Sequence, residues 1–346
     1  MSFAIHTSAG NAASNHPLVT ILLPPEARSL VLSQAALEKL GGFARVRTTD
    51  ETALTEPLMA QLLDGAAVCI TGWGTPSLEP YLSASHALGL VAHCAGSIRR
   101  LVPAAAVADG LRVTHAAAAI GDSVAEFTVA QILMALRHGD AFDSGLKSGA
   151  GWDMRNRYPG RLLGALTVGI VGGGYVGRSV IRLIRPFGAR ILVTDPVMSD
   201  AAARELGVER VTLDTLIAQS DVVSLHAPLL PETTGMFGAA ELAQLKDGAL
   251  LVNMARSPLV DEAALLAELR TGRIRAALDV FNVEPLPMTS PFRDLGGHVH
   301  LSPHAAGHTQ DGHWRQGDLI VAEVERFMRG EPLRHEITAA SYDRMA

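Results

Sequence analysis

A few residues of this chain have types and spacings that point to chemistry. Gly172, Gly174 and Gly177 stand in G-x-G-x-x-G order within TVGIVGGGYVGRSV, directly after an apolar run and at the opening of a helical pattern. That context is what a dinucleotide-binding turn requires. Gly172 permits the tight turn, Gly174 leaves the backbone open to a pyrophosphate, and Gly177 lets the helix pack closely on the strand. The helix N-terminus, with Tyr175 and Val176 in its first turn, then offers unpaired N–H groups and partial positive charge to the phosphates. Asp195 ends the next strand candidate eighteen residues after Gly177, near where a ribose-binding carboxylate belongs. A carboxylate there accepts from both ribose hydroxyls and repels a 2′-phosphate. Pro196 rather than an arginine follows, so the pattern expects NAD over NADP. A glycine-rich turn followed by a helix-capping aspartate is the plainer alternative, and it needs all these features to coincide by accident.

Three further signatures each sit at the C-terminal end of a strand candidate. Arg256 follows Asn253 in VNMARSPLVDE, Asp279 and Glu284 lie in LDVFNVEP, and His304 lies in LSPHAAGH. In an open α/β sheet those strand ends form the ligand crevice. Histidine is a proton donor and acceptor suited to neutral pH. A carboxylate beside it fixes one tautomer and favours the imidazolium, raising the pKa. Arginine offers a planar fork to a carboxylate and polarises an adjacent carbonyl. Together with hydride from a nicotinamide, the three suit a 2-oxo acid.

The elements that must position these groups alternate strand and helix, which implies parallel strands with crossover helices. In the first part, Leu18–Leu23, Ala44–Arg47, Val68–Thr71 and Leu90–Ala92 read as strands, and Ala27–Leu40 and Leu58–Leu63 as helices. Ser123 and Glu126 read as a capping box before a long apolar helix. Residues 139–164, Gly-rich and polar, read as a connecting loop, with Trp152 as a packing aromatic. Six strands follow, at Thr167–Val171, Arg190–Thr194, Val222–Leu225, Ala249–Asn253, Ala276–Val280 and His298–Ser302, enough for one doubly wound sheet. A last helix runs to about Phe327 and leaves a tail expected to return to the first domain.

Composition bounds the function class. At 346 residues and 48% hydrophobic content the chain is long enough for two cores. A net charge of −6 offers no basic surplus for nucleic acid. Cys69 and Cys94 are too few for a disulfide framework and form no CxxC pair. The opening MSFAIHTSAGNAASNHP lacks a cationic region followed by an apolar core, and is expected to be a loose leader rather than a secretory signal. No uninterrupted apolar stretch approaches the length of a membrane span, so a cytoplasmic enzyme without membrane contact is expected. His298, His300, His304, His308 and His313 lack acidic or cysteine partners in a recognised metal spacing, and no metal is expected. Cys94 beside His93 is read as a buried thiol rather than a nucleophile, and Arg182 and Arg185 as a solvated helix face.

The strings GIVGGGYVG, LHAPLLPET, LVNMARSPLVDEAAL, ALDVFNVEP and SPHAAG closely resemble the D-isomer-specific 2-hydroxyacid dehydrogenase family, from about Val68 to about Gly312. The resemblance implies two doubly wound parallel-sheet domains of α/β class. A Rossmann cofactor domain, 118–311, is inserted in a flavodoxin-like substrate domain built from 1–117 and 312–346. It implies that Arg256 binds and polarises substrate, that Glu284 supports the histidine, and that His304 is the general acid/base. Asp279 would lie beside the nicotinamide, and His226, Ala227, Pro228, Thr233, Met254, Ala255 and Gly307 would flank the NAD. Backbone amides at Ala95, Gly96 and Ser97 would hold the substrate carboxylate, with Arg99 and Arg100 departing from the family's usual residues and expected to be solvated or structural. The expected activity is NAD-dependent interconversion of a small 2-oxo acid, of glyoxylate or hydroxypyruvate type, with its D-2-hydroxy acid, reduction being favoured. Glu284 rather than glutamine speaks against a formate-dehydrogenase-like member, and the end of the chain at 346 against a long-form serine-pathway enzyme. A homodimer through the cofactor domain is expected. The alternative is a dimeric, NAD(H)-sensing corepressor-like binding protein, against which stands the lack of a disordered partner-binding tail.

Overall fold

Strands covered by helices on both faces are expected to be short, unbroken apolar runs. The computed structural model, which describes residues 3–8, 16–83 and 87–345, builds two sheets from such runs. The chain divides into two compact units, 1–120 with 309–346, and 121–308.

In the first unit the strands are β1 (Ile5–Ser8), β2 (Leu18–Ile21), β3 (Arg45–Thr49), β4 (Val68–Thr71), β5 (Leu90–His93) and β6 (Arg112–His115). Their spatial order is β1-β3-β2-β4-β5-β6. All neighbours are parallel except β1, which runs antiparallel to β3 with Ile5 opposite Thr49. The five parallel strands thus have the flavodoxin-like order, with its switch point between β2 and β4. Side chains alternate between the two faces. Val68 and Ile70 meet Val31, Leu40, Ile320 and Val324 on one face. Cys69 and Val91 meet Leu58, Leu62, Val102 and Ile337 on the other. The C-terminal tail closes on β6, where Ile337 N–H donates to the Val113 carbonyl at 2.8 Å and Arg112 Nε to Glu336 at 2.7 Å.

The second unit holds β7 (Thr167–Val171), β8 (Arg190–Thr194), β9 (Glu209–Arg210), β10 (Val222–Leu225), β11 (Leu250–Asn253), β12 (Arg275–Leu278) and β13 (Val299–Leu301). The order β13-β12-β11-β10-β7-β8-β9 is that of a Rossmann sheet with one added strand, parallel throughout. Its switch point falls between β7 and β10. β10 is fully buried, as is Val168 to Val171 of β7.

Several sequence expectations are corrected. The leader is not loose throughout, because Ile5–Ser8 is an edge strand; residues 9–15 lie outside the described residues. The helix expected over Ala27–Leu40 is two, Pro25–Val31 and Gln34–Gly41. Ser33 between them is extended and its hydroxyl accepts from Ala36 N–H, making a fresh N-cap. Ser123 is not the N-cap: the helix spans Ala117–Arg137, since the alanine run before it has the highest helix propensity and extends the helix upstream. By length and composition alone that 21-residue helix is apolar enough to cross a membrane, which counting uninterrupted runs did not show. Half of its most apolar stretch is buried within the protein, however, as a core helix would be. Residues 139–164 are not one loop but carry the helices Gly139–Lys147 and Met154–Arg157. There Lys147 pairs with Asp143 one turn back at 2.7 Å. Trp152 does not pack, being 73% exposed. β6 and β9 were missed, the first because its Arg-Val-Thr-His sequence alternates over only four residues and the second because it is two residues long.

Ile170, fully buried in the central strand β7, is expected to cost about 2–5 kcal/mol on truncation to Ala. Urea unfolding checks this, and a loss below 1 kcal/mol would show that β7 is not central.

Candidate active site

Each polar group of interest in the second unit leaves the C-terminal end of a strand, where backbone pairing stops and the loops turn over the sheet edge. The glycine turn follows β7. Gly172 has φ +96°, and a Cβ there would lie 2.7 Å from the Ala227 nitrogen. A Cβ on Gly177 would lie 2.0 Å from the Gly172 carbonyl oxygen. At Gly174, by contrast, a Cβ would meet nothing within 4 Å, so space is open beside the N-terminus of the helix Tyr175–Ile184. Two glycines serve packing and one leaves room for a ligand, a division that fits a pyrophosphate resting on the first-turn N–H groups. Asp195 follows β8. Its Oδ2 accepts from Gly173 N–H at 2.6 Å and its Oδ1 from Val197 and Met198 N–H at 2.8 and 3.0 Å. These bonds fix the carboxylate against the glycine turn, where a ribose would lie.

The loop after β10 carries His226, Ala227 and Pro228. Burial pushes the His226 imidazole down to about 3, so it is neutral at pH 7, and its Nε2 lies 2.9 Å from the Ser224 hydroxyl. Thr233 closes this loop by donating to the Pro228 carbonyl at 2.7 Å and accepting from Leu230 N–H at 2.8 Å. After β11 come Met254, Ala255 and Arg256. Asn253, 2% exposed, grips both sides of that turn. Its Oδ1 accepts from Ala255 N–H and its Nδ2 donates to the Arg256 carbonyl, at 3.1 and 2.9 Å. Burial lowers the Arg256 pKa and Glu284 opposes this, and the guanidinium remains charged.

The loops after β12 and β13 supply the remaining pair. Glu284 Oε2 lies 2.8 Å from His304 Nδ1, and its Oε1 accepts from Phe281 N–H at 2.9 Å. Burial alone would raise the Glu284 carboxyl. The His304 hydrogen bond, the Phe281 N–H and the Arg256 charge outweigh it and hold the group below the usual carboxylate range. Its ionised state is therefore kept down to lower pH than for a free glutamate, and the pairing is lost as pH falls through that lowered value. Electrostatic contact of Glu284 with both Arg256 and His304 gathers the three groups expected from the sequence. His304 itself has φ +53°, a left-handed conformation costly for a residue with a Cβ. It is held there from Asp279, which is fully buried. Asp279 Oδ1 accepts from the Ser302 hydroxyl and Ala305 N–H at 2.5 and 2.9 Å, and Oδ2 from Ala306 N–H at 2.9 Å. The Asp279 carbonyl accepts from His304 N–H at 2.9 Å. The residue expected beside the nicotinamide is thus tied into the His304 loop, which Gly307 ends.

In the first unit, Ala95, Gly96 and Ser97 follow β5. Their N–H groups donate to no protein acceptor among the described residues. The carbonyls are engaged instead: His115 Nδ1 donates to Gly96 O at 2.8 Å, and the His93 ring donates to Ser97 O. Burial, and then the charge of His115, push His93 down to about 4, while Thr71 Oγ1 lies 3.0 Å from its Nδ1. Two neutral imidazoles therefore hold the peptide planes of a loop whose amides are free for an anion. Arg99 donates to the Asp343 carbonyl at 2.6 Å. Cys94 is buried, its thiol pushed up to about 12, and is no nucleophile at neutral pH. Among the described residues no three His, Cys, Asp or Glu side chains are grouped to hold a metal.

Comparison with known proteins decides the family. Residues 129–306 match the D-isomer specific 2-hydroxyacid dehydrogenase, NAD binding domain. D-3-phosphoglycerate dehydrogenase of Mycobacterium leprae is 34% identical over 301 residues, 87% of this chain and 56% of that protein. Glyoxylate reductase of Korarchaeum cryptofilum is 37% identical over 227 residues, 64% and 68% of the two chains. A solved D-lactate dehydrogenase from Treponema pallidum superposes with a TM-score of 0.74 at 27% identity, covering 93% of this chain and 99% of that one. The chain belongs to the D-isomer-specific 2-hydroxyacid dehydrogenase family. It spans about half the length of the phosphoglycerate dehydrogenases it matches. The second unit is accordingly an NAD-binding domain.

Asn253, Ser302, His93 and His115 were not singled out from the sequence. Each is a polar residue at or just past a strand end, and that position was the signal. Replacing Asp279 by Asn turns one acceptor into a donor facing an N–H group. The variant is expected to lose about 1–3 kcal/mol in urea unfolding and to show altered His304 imidazole resonances by NMR. Wild-type stability with unchanged resonances would remove Asp279 from its holding role.

Proposed function

We propose that this protein is an NAD-dependent oxidoreductase that interconverts a 2-oxo acid and its D-2-hydroxy acid, reduction being the favoured direction. The observation that carries the reading is the 2.8 Å His304–Glu284 pair in electrostatic contact with Arg256, at neighbouring strand ends of an NAD-binding domain. Gly172, Gly174, Gly177 and the first turn of Tyr175–Ile184 would hold the pyrophosphate, and Asp195 the ribose. When bound, the nicotinamide supplies or accepts hydride at the substrate's C2. Arg256 binds the carboxylate and polarises the neighbouring carbonyl, stabilising negative charge as it develops on oxygen. His304 donates the proton to that oxygen from the ring nitrogen not facing Glu284, and takes it back in the reverse direction. Glu284 keeps Nδ1 as the donor to its own carboxylate and so fixes the ring's orientation. Small substrates of glyoxylate or hydroxypyruvate type are the starting set; within the first unit, the Ala95–Ser97 amides are the proposed anion site.

A panel of 2-oxo acids with NADH and NADPH, followed by the absorbance of the reduced nucleotide, tests the reading. His304→Ala is expected to lower kcat by about 10²–10⁴-fold. Asp195→Ala is expected to raise the NADPH-to-NADH ratio of kcat/KM by about tenfold, ~1.4 kcal/mol. Undiminished turnover without His304 would end the assignment.

A second copy of this chain is the proposed partner. Leu146, Trp152 and Leu162 are half to three-quarters exposed along one short stretch of the second unit, more apolar surface than an isolated residue accounts for. Trp152→Glu is expected to convert a dimer to a monomer in sedimentation velocity. A wild-type monomer, or an unaffected dimer, would exclude this surface.

A further inference from the structure

We infer that Trp73 forms a subsite for an apolar, planar substrate side chain, so that this chain prefers such 2-oxo acids over phosphorylated ones. The inference rests on the oxidoreductase reading and names its substrate class. Trp73 immediately follows β4 and Gly72, at the switch point of the first unit's sheet, where open α/β sheets bind ligands. A built turn presents it. Gly74 has φ +84°, and the Thr75 hydroxyl donates to the Leu22 carbonyl at the end of β2 at 2.7 Å while accepting from Gly72 N–H at 3.0 Å. The turn is therefore fastened to the neighbouring strand, and the indole stands out of it, 45% exposed.

The indole is also braced. Its ring lies 5.3 Å from the His313 ring at 82°, an edge-to-face contact. His313 is 3% exposed, and its Nδ1 lies 3.3 Å from the amide of the fully buried Gln316 one turn along the helix Gln310–Met328. A large apolar ring held rigid and left half open is what an apolar ligand group stacks on at low entropic cost.

Its place relative to the carboxylate loop supplies the ligand class. Thr71 of β4 pairs with His93 of β5, so Trp73 and Ala95 each lie two residues beyond paired positions. Adjacent strands are about 4.8 Å apart, within the length of a single substituted acid. A carboxylate on the free Ala95–Ser97 amides thus brings the acid's side chain to the indole. Past the amide loop, Arg99 donates to the Asp343 carbonyl. At the end of β4 the chain presents an aromatic ring, an apolar face rather than a cation, to a side chain placed there.

The test uses the full chain with NADH, glyoxylate, phenylpyruvate and a phosphorylated three-carbon 2-oxo acid. Wild type is expected to show its highest kcat/KM with phenylpyruvate. Trp73→Ala is expected to lower the phenylpyruvate-to-glyoxylate ratio by about tenfold or more, chiefly through KM, and Trp73→Phe to restore most of it. An unchanged ratio in Trp73→Ala, or a wild-type preference for the phosphorylated acid, overturns the inference while leaving the oxidoreductase reading intact. If no acid is reduced, that reading fails. The subsite is then judged by the Trp73 indole N–H resonance of nitrogen-15-labelled wild type with NADH. A shift on adding phenylpyruvate but not glyoxylate supports the subsite, and no shift overturns it.

Discussion

The candidate site depends on one buried carboxylate. Asp279 is fully buried and receives three hydrogen bonds from the loop that carries His304. A polar group taken out of water must be hydrogen-bonded this way or not be there. A hydrogen bond contributes roughly 0.5–1.5 kcal/mol. Three together offset the roughly 1–2 kcal/mol that a left-handed backbone costs a residue with a Cβ. That balance lets a histidine occupy φ +53°, and the unusual turn is what sets its ring against Glu284. Without Asp279 the same loop has no reason to hold this shape.

A second constraint comes from parallel sheets. All seven strands of the NAD-binding unit end at the same edge, so the glycine turn, Asp195, Arg256, Glu284 and His304 meet there although 132 residues separate Gly172 from His304. The strand interiors are mainly apolar, and β10 and β11 are buried throughout. Polar chemistry gathers where the ladder stops, with Ser224 and Asn253 in the last two residues of their strands. The first unit follows the same rule with different means: two neutral histidines at its strand ends engage the carbonyls of Gly96 and Ser97.

This rule explains what the sequence could disclose. Buried parallel strands announce themselves as apolar runs, so the central strands were legible, as was the glycine turn, whose residue types are set by contacts as close as the 2.0 Å that a Cβ on Gly177 would make. The triad was legible because Arg256, Glu284 and His304 each lie in the loop that leaves the end of a strand read from the sequence. Three edge strands were not: β1, β6 and β9 are four residues or fewer and each has a single strand neighbour, so their sequences carry no long apolar signature. Helix starts were misplaced for a related reason. Ser123 has the type of an N-cap, but the alanines before it extend the helix and bury it mid-span. Ser33 has the same type and does cap, because the chain turns extended there. Residue type proposes a cap, and the backbone decides it.

The holding residues were the least legible, and their physics shows why. Asn253, His93 and His115 act through hydrogen bonds to backbone atoms close by in space, and backbone acceptors have no letter in a sequence. Trp73 belongs to the same class. An exposed tryptophan reads as an accident until the turn fastened by Thr75 and the ring contact with His313 are seen. Chemistry common to the family is written in residues that touch cofactor and reacting atoms. On the proposed subsite, substrate choice in this chain is set in the loop after β4, where the strand end presents an aromatic ring rather than a cation to the acid's substituent.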